Sequence, residues 1–134
     1  MACVSVTGAN GFIGSHIVDC LLKLGYIVRG IFRGYPGLLS SDTLSHPNFS
    51  YHIADLTDLS ALEYSIDGSQ FMIHLACSSL PSSSNFYEDI SINMLGSINV
   101  LNAVKNLGVE RIIFLSSGGT VYGIPESIPI TEEH

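Results

Sequence analysis

Basic residues are scarce in this sequence. Five Lys and Arg stand against twelve Asp and Glu, for a net charge of −7. No basic stripe offsets that excess, so nucleic acid is not an expected partner. Cysteines are few: Cys3, Cys20 and Cys77. Their number is odd and no Cys-x-x-Cys occurs, which argues against a disulfide framework and against a structural zinc site. His46, His52 and His134 lack the spacing of metal ligands, so no metal site is expected. A reducing, cytoplasmic setting fits this cysteine usage. Long apolar runs are missing as well; none reaches the roughly 20 residues of a membrane helix, and no membrane partner is expected. The N-terminus enters an apolar stretch at once with no basic segment before it, which argues against a signal peptide.

What is present is core-forming material. Of 134 residues, 46% are hydrophobic and only 13% charged, enough for one packed domain over 1–134. Low charge with many Val, Ile and Leu suits strands buried on both faces, as in a parallel sheet. Ala2–Thr7 reads as a first strand. Phe12, Ile13, Ile17, Cys20, Leu21 and Leu24 recur at helical spacing, and Gly25 stands where a helix stop is expected. Tyr26–Phe32 is a second strand, so about thirty residues make one βαβ unit. The stretch 33–48 reads as loop with room for one short helical turn. Phe49–Ala54 is a third strand, Leu59–Ile66 a short helix, and Phe71–Ala76 a fourth strand. A polar loop follows at 78–84. Tyr87–Leu107 is a long helix closed by Gly108, Arg111–Leu115 a fifth strand, and 116–134 loop. Strands and helices alternate throughout, which predicts an α/β fold: a doubly wound parallel sheet of Rossmann type with helices on both faces.

The first βαβ unit carries the clearest chemical signal. Gly8, Gly11 and Gly14 sit between the first strand and the first helix. Gly8 suits the sharp turn off the strand, Gly11 lets backbone approach a phosphate, and Gly14 removes a side chain where helix meets strand. The helix N-terminus then directs unpaired N–H groups and partial positive charge at a pyrophosphate. A nicotinamide dinucleotide, NAD or NADP, is the expected cofactor. An acid ending the second strand would hydrogen-bond the ribose of NAD, but no Asp or Glu lies between Asp19 and Asp42. Phe32 takes that place. Arg33 follows it, with Arg29 nearby, and an arginine there pairs with the 2′-phosphate of NADP. The plainer reading of Arg33 is a solvated loop charge.

The string Thr7-Gly8-Ala9-Asn10-Gly11-Phe12-Ile13-Gly14-Ser15-His16 closely resembles the opening of the extended short-chain dehydrogenase/reductase family, which includes nucleotide-sugar epimerases and dehydratases. Ala54-Asp55-Leu56 is similar to the family's acidic turn near the adenine. Ile73–Cys77 resembles its fourth-strand segment, and Asn93–Leu101 its long-helix motif with Asn93 as a scaffold residue. Ser116–Gly123 (SSGGTVYG) resembles its fifth-strand exit. That string and the IPESIPITEEH after it are most similar to epimerases of the UDP-glucose 4-epimerase kind. The resemblance implies a cofactor site built from Gly8, Asn10, Gly11, Phe12, Ile13, Gly14, Arg33, Asp55, Leu56, Leu75, Ala76, Cys77, Asn93 and Ser116. Asp55 otherwise reads as a helix cap, Cys77 as a small-residue filler, and His74 as a satisfied core histidine.

The family moves hydride with a Tyr-x-x-x-Lys pair, whose lysine lowers the tyrosine's pKa. Here the lysines are Lys23 and Lys105, preceded at the required spacing by Asp19 and Leu101, so the pair is absent from these residues. A fragment or a shortened member, without turnover on its own, is the expectation. For the hydroxyl that contacts the reacting oxygen, Gly118 occupies the family's usual place, leaving Ser117 and Thr120 as candidates. The resemblance implies a UDP-sugar 4-epimerase acting on a nucleotide sugar by transient hydride transfer at C4. The residues by themselves also leave open an NADP-dependent carbonyl reductase and a non-catalytic dinucleotide-binding or partner-binding module. Family members are often dimers, so a homodimer is a further expectation.

Overall fold

The computed structural model describes residues 1–78 and 85–133. Five strands form one sheet: β1 (Cys3–Thr7), β2 (Ile27–Phe32), β3 (Phe49–Ile53), β4 (Phe71–His74) and β5 (Arg111–Phe114). Their spatial order is β3-β2-β1-β4-β5 and every pairing is parallel. The doubly wound α/β fold expected from the alternation of elements is thus observed. The strand order reverses between β1 and β4, and there the carboxyl ends open a crevice that such sheets use for ligands.

β1 is buried along its whole length, as the central strand must be. Period-2 alternation sends its residues to two faces, Val4 and Val6 to one and Cys3, Ser5 and Thr7 to the other. Val4 and Val6 join Val18 and Leu22 of α1 (Phe12–Lys23) and Val28 and Phe32 of β2. On the other face Ile31 and Met72 pack with Leu62 and Ile66 of α3 (Leu59–Ile66) and Val100 and Val104 of α5 (Gly96–Asn106). α1 ends as its glycine signal predicts: Gly25 takes φ +84°, its N–H bonds the Leu22 carbonyl, and the Tyr26 N–H bonds that of Leu21. α3 starts at Asp58, whose carboxylate accepts the Ala61 N–H at 3.0 Å.

The 33–48 stretch matches its expectation, and two later segments differ from theirs. The 33–48 stretch contains one short helix, α2 (Ser41–Leu44), opened by the Ser40 hydroxyl accepting the Thr43 N–H. The long helix, expected over 87–107, runs from Phe86 to Asn106 but is not uniform. Between α4 (Phe86–Asp89) and α5 the residues Ile90–Leu95 widen into a π-helical stretch. Across 87–107 the apolar residues fall mostly three apart, which a local change of winding tolerates, so periodicity did not signal it. The 116–134 stretch, expected to be loop throughout, contains α6 (Gly118–Tyr122), whose Val121 N–H bonds the Ser117 carbonyl at 3.0 Å. Two adjacent glycines masked that turn, because they cost helix stability without forbidding the conformation. Of the loop expected at 78–84, only Ser78 lies within the described residues. No helix among the described residues is long and apolar enough to cross a membrane.

Candidate dinucleotide site

Gly8 leaves β1 at φ +68°, in the left-handed region that favours glycine. A side chain there would also meet the Ala76 backbone nitrogen at 3.0 Å, so the turn lies directly against the exit of β4. Gly11 extends the backbone at the start of α1 with no side-chain cap. The amides of Phe12, Ile13 and Gly14 in the first turn therefore have no acceptor within the helix. A Cβ on Gly14 would fall 2.0 Å from the Gly8 carbonyl oxygen and 2.8 Å from the Ala9 Cα. Its smoothness thus seats the helix on the turn rather than on the strand. Together these residues form a shallow backbone cradle with donors facing out, which fits a pyrophosphate.

The cradle opens onto a cleft of about 190 Å³. Gly8 and Gly11 line it with Ile31, Phe32 and Arg33 from the end of β2, Ala54 and Leu56 after β3, and Leu75, Ala76 and Cys77 after β4. A second cleft of about 490 Å³ lies on the far side of the β4 exit. It shares Leu75, Ala76 and Cys77 with the first and adds Asn93, Ser97, Ser116 and Ser117. An extended two-part ligand could lie over Ala76 with one half in each cleft.

Not every expected residue faces these clefts. Asn10, Phe12, Ile13, Gly14 and Asp55 are not among their lining residues. Phe12 and Ile13 carry exposed side chains, so what they offer a phosphate is backbone N–H. The Asn10 amide instead donates to the Tyr35 carbonyl at 2.8 Å. Asp55 Oδ1 accepts from the Thr57 N–H at 2.9 Å and the Thr57 hydroxyl at 2.8 Å. Asp58, and not Asp55, holds the cap position of α3. The Thr57 bonds foremost, and Arg33 in addition, hold the Asp55 carboxyl below its ordinary range. Arg33 Nη1 stands 3.6 Å from Asp55 Oδ2, with both groups substantially exposed. Sequence separation concealed this pair. Arg29 points elsewhere: its guanidinium donates to the carbonyls of Ser65 and Asp67 at the end of α3. Ser116 and Ser117 are exposed on the second cleft, whereas the side chain of Thr120 lies outside the described residues, as does His134.

His74 is buried, and burial lowers its pKa. Its partners determine its tautomer. Ser97 Oγ donates to the Asn93 carbonyl at 2.6 Å, so toward His74 Nε2, 3.0 Å away, it can only accept. The proton therefore sits on Nε2. Nδ1 accepts the Thr7 hydroxyl at 2.7 Å, and the Thr7 oxygen accepts the N–H groups of Leu75 and Ala76 at 3.2 and 3.3 Å. His74 is a satisfied core histidine, and its network pins the strand exit that both clefts share. Asn93 pins the same exit from the π-helical stretch, its Oδ1 accepting the Ser78 N–H at 3.0 Å. Ser97, one helical turn beyond Asn93, is the member of this network that motif reading missed. The i, i+4 spacing was the available signal.

Comparison with known proteins agrees with this geometry. The chain is 35% identical to cinnamoyl-CoA reductase 1 of Petunia hybrida over 96% of its residues, and 33% identical to UDP-glucose 4-epimerase of Homo sapiens over 98%. It spans 39% and 41% of those relatives' lengths. The crystal structure of the Thermus thermophilus UDP-glucose 4-epimerase in complex with NAD matches with a TM-score of 0.82 at 31% identity, over 98% of this chain and 43% of that one. The model of the NAD dependent epimerase/dehydratase family matches residues 4–134, and the chain belongs to that family, whose cofactor is a nicotinamide dinucleotide.

Proposed function

We propose that this chain is the dinucleotide-holding part of a nucleotide-sugar 4-epimerase of the UDP-glucose/UDP-galactose type. The uncapped start of α1, seated by glycines against the β4 exit and opening onto two joined clefts, is the observation that carries this reading. The likeness to two UDP-glucose 4-epimerases supports the substrate class. When bound, a nicotinamide dinucleotide would supply reversible hydride transfer at C4 of the sugar, the chemistry that a 4-epimerisation needs. The protein's own tasks are to bind and to orient. The amides of Phe12, Ile13 and Gly14 hold the pyrophosphate; Leu75, Ala76 and Cys77 support the reactive end; Ser117 hydrogen-bonds the sugar oxygen. Thr120 is kept as its alternative. Interconversion of UDP-glucose and UDP-galactose by the natural protein that contains this chain is the expected result. Its absence, in a preparation that binds the cofactor, would overturn the substrate assignment.

For the cofactor itself, NADP is the preferred form in this reading. Phe32, at the place of the ribose-binding acid, is buried and stacked on Tyr51, so β2 offers no carboxylate to a 2′-hydroxyl. Arg33 is the half-exposed cation on the cleft wall. Equal binding of NADH and NADPH, unchanged in Arg33→Ala, would refute this.

That same observation favours a second reading, an NADP-dependent carbonyl reductase, in keeping with the similarity to a cinnamoyl-CoA reductase. Net consumption of NADPH with a carbonyl substrate separates the two, since an epimerase consumes no cofactor overall.

A further inference from the structure

We propose that Asn10 is a positioning residue for selectivity at the cofactor's 2′ position, acting by clamping the segment that carries Arg33 to the glycine turn. The inference rests on the NADP reading above and goes beyond it, because Asn10 need not touch the cofactor through its side chain.

Arg33 begins a six-residue excursion between two buried anchors, Phe32 at the end of β2 and Leu39 in the same core cluster. Within it, the Pro36 carbonyl makes a local bond, accepting the Leu39 N–H at 3.1 Å. Gly34 has nothing within 4 Å of where a side chain would begin. The contacts that fix the middle of the excursion come from Asn10. Its side-chain amide donates to the Tyr35 carbonyl at 2.8 Å, and its backbone carbonyl accepts the Leu38 N–H at 3.0 Å. Gly37 lies between those two bonds at φ +61°. A Cβ there would come within 2.5 Å of the Asn10 carbonyl oxygen and 3.2 Å of the Asn10 Cβ. Close approach therefore requires glycine at position 37, and the Asn10 amide supplies the side-chain bond beside it.

The consequence concerns where Arg33 can stand. A half-exposed arginine keeps about 2 kcal/mol of rotamer entropy, and a backbone free to drift would add to that freedom. Asn10 belongs to the turn that holds the pyrophosphate. Through the clamp the backbone segment that follows Arg33 is held at a set distance from that turn, while the guanidinium stands 3.6 Å from the Asp55 carboxylate; a dinucleotide's 2′-phosphate likewise stands at a set distance from its pyrophosphate. Asn10 thus matches one spacing to the other.

The test measures dissociation constants of NADPH and NADH on the intact chain by calorimetry. It compares wild type, Arg33→Ala, Asn10→Ala, Asn10→Asp and Gly37→Ala. Wild type is expected to bind NADPH about tenfold tighter, the value of one charge-assisted contact. Arg33→Ala should abolish that ratio. Asn10→Ala, Asn10→Asp and Gly37→Ala disturb one clamp from its two sides and should each bring the ratio to within about threefold of unity. If Arg33→Ala abolishes the preference while the clamp variants weaken both dinucleotides alike and leave the ratio intact, Asn10 is merely structural and only this inference falls. If wild type shows no preference, the NADP reading falls and takes the inference with it. Should Asn10→Ala fail to fold, the other two clamp variants report on the same ratio.

Discussion

Replacing Thr7 by Val isolates the polar network beneath the site. Thr7 is fully buried in the central strand, and its methyl and its hydroxyl do separate work. The hydroxyl donates to His74 Nδ1 and accepts from Leu75 and Ala76. Valine keeps the shape and removes all three bonds. Leu75 retains an acceptor in the Thr7 carbonyl at 3.3 Å, so two groups are stranded: His74 Nδ1 and the Ala76 N–H. Each stranded buried polar group costs about 1–3 kcal/mol; Ala76 is only half-buried, which places the sum at about 2–4 kcal/mol. Thr7→Ser is the control. It keeps the hydroxyl and loses one buried methyl, about 1 kcal/mol. Urea unfolding followed by circular dichroism reads both, and the Val variant's midpoint should fall by roughly 1–2 M. Dinucleotide affinity should fall further in Val than in Ser, because the β4 exit that the network pins forms a wall of both clefts. A Val variant no less stable than Ser would refute the network's role.

Gly14→Ala should lose stability despite alanine's better helix propensity. That preference is worth about 1 kcal/mol, whereas a Cβ at 2.0 Å from the Gly8 carbonyl oxygen forces α1 off the turn at an overpacking cost of about 1–3 kcal/mol or more; calorimetry should show dinucleotide binding lost with it. Stability should also fall with acid. His74 is neutral when folded, and burial holds its pKa below the ordinary value of about 6.5. Below that value the unfolded chain takes up a proton the native state refuses. The stabilisation is therefore complete above pH of about 6.5 and is lost as pH falls toward the folded-state value, at up to about 1.4 kcal/mol per unit. His52, also lowered by burial and by Arg29, acts in the same direction, so the slope of urea midpoints across this range should flatten in a His74→Gln variant and not vanish. Asp58→Ala removes the cap of α3 and should cost about 1 kcal/mol in the same unfolding assay.

Much of the fold was legible in the residues because its signals are local. α3 occupies Leu59–Ile66 as its spacing predicts, and α1 starts at Phe12, directly after the glycine turn. The parallel sheet follows from apolar strands alternating with amphipathic helices. The cradle at Gly8, Gly11 and Gly14 was legible for the same reason, since a turn and a helix start are properties of neighbouring residues. The π-helical stretch and α6 were not, one because apolar spacing does not distinguish two windings, the other because Gly118 and Gly119 read as loop.

The sequence by itself determined which residue types stand at the site: glycines at the turn, an arginine and no acid at the end of β2, hydroxyls after β5. Only the tertiary structure decided what each is paired with. Thr7 and His74 are separated by 67 positions, Asn10 and Tyr35 by 25, and nothing in the spacing of either pair announces the contact. Arg29 and Arg33 are equivalent as letters, yet one ties down a helix end and the other stands on the cleft wall. The physical reason is that backbone conformation is set largely by short-range sterics and apolar periodicity. Hydrogen-bond partners are chosen instead by which strand ends the sheet brings within 3 Å of one another.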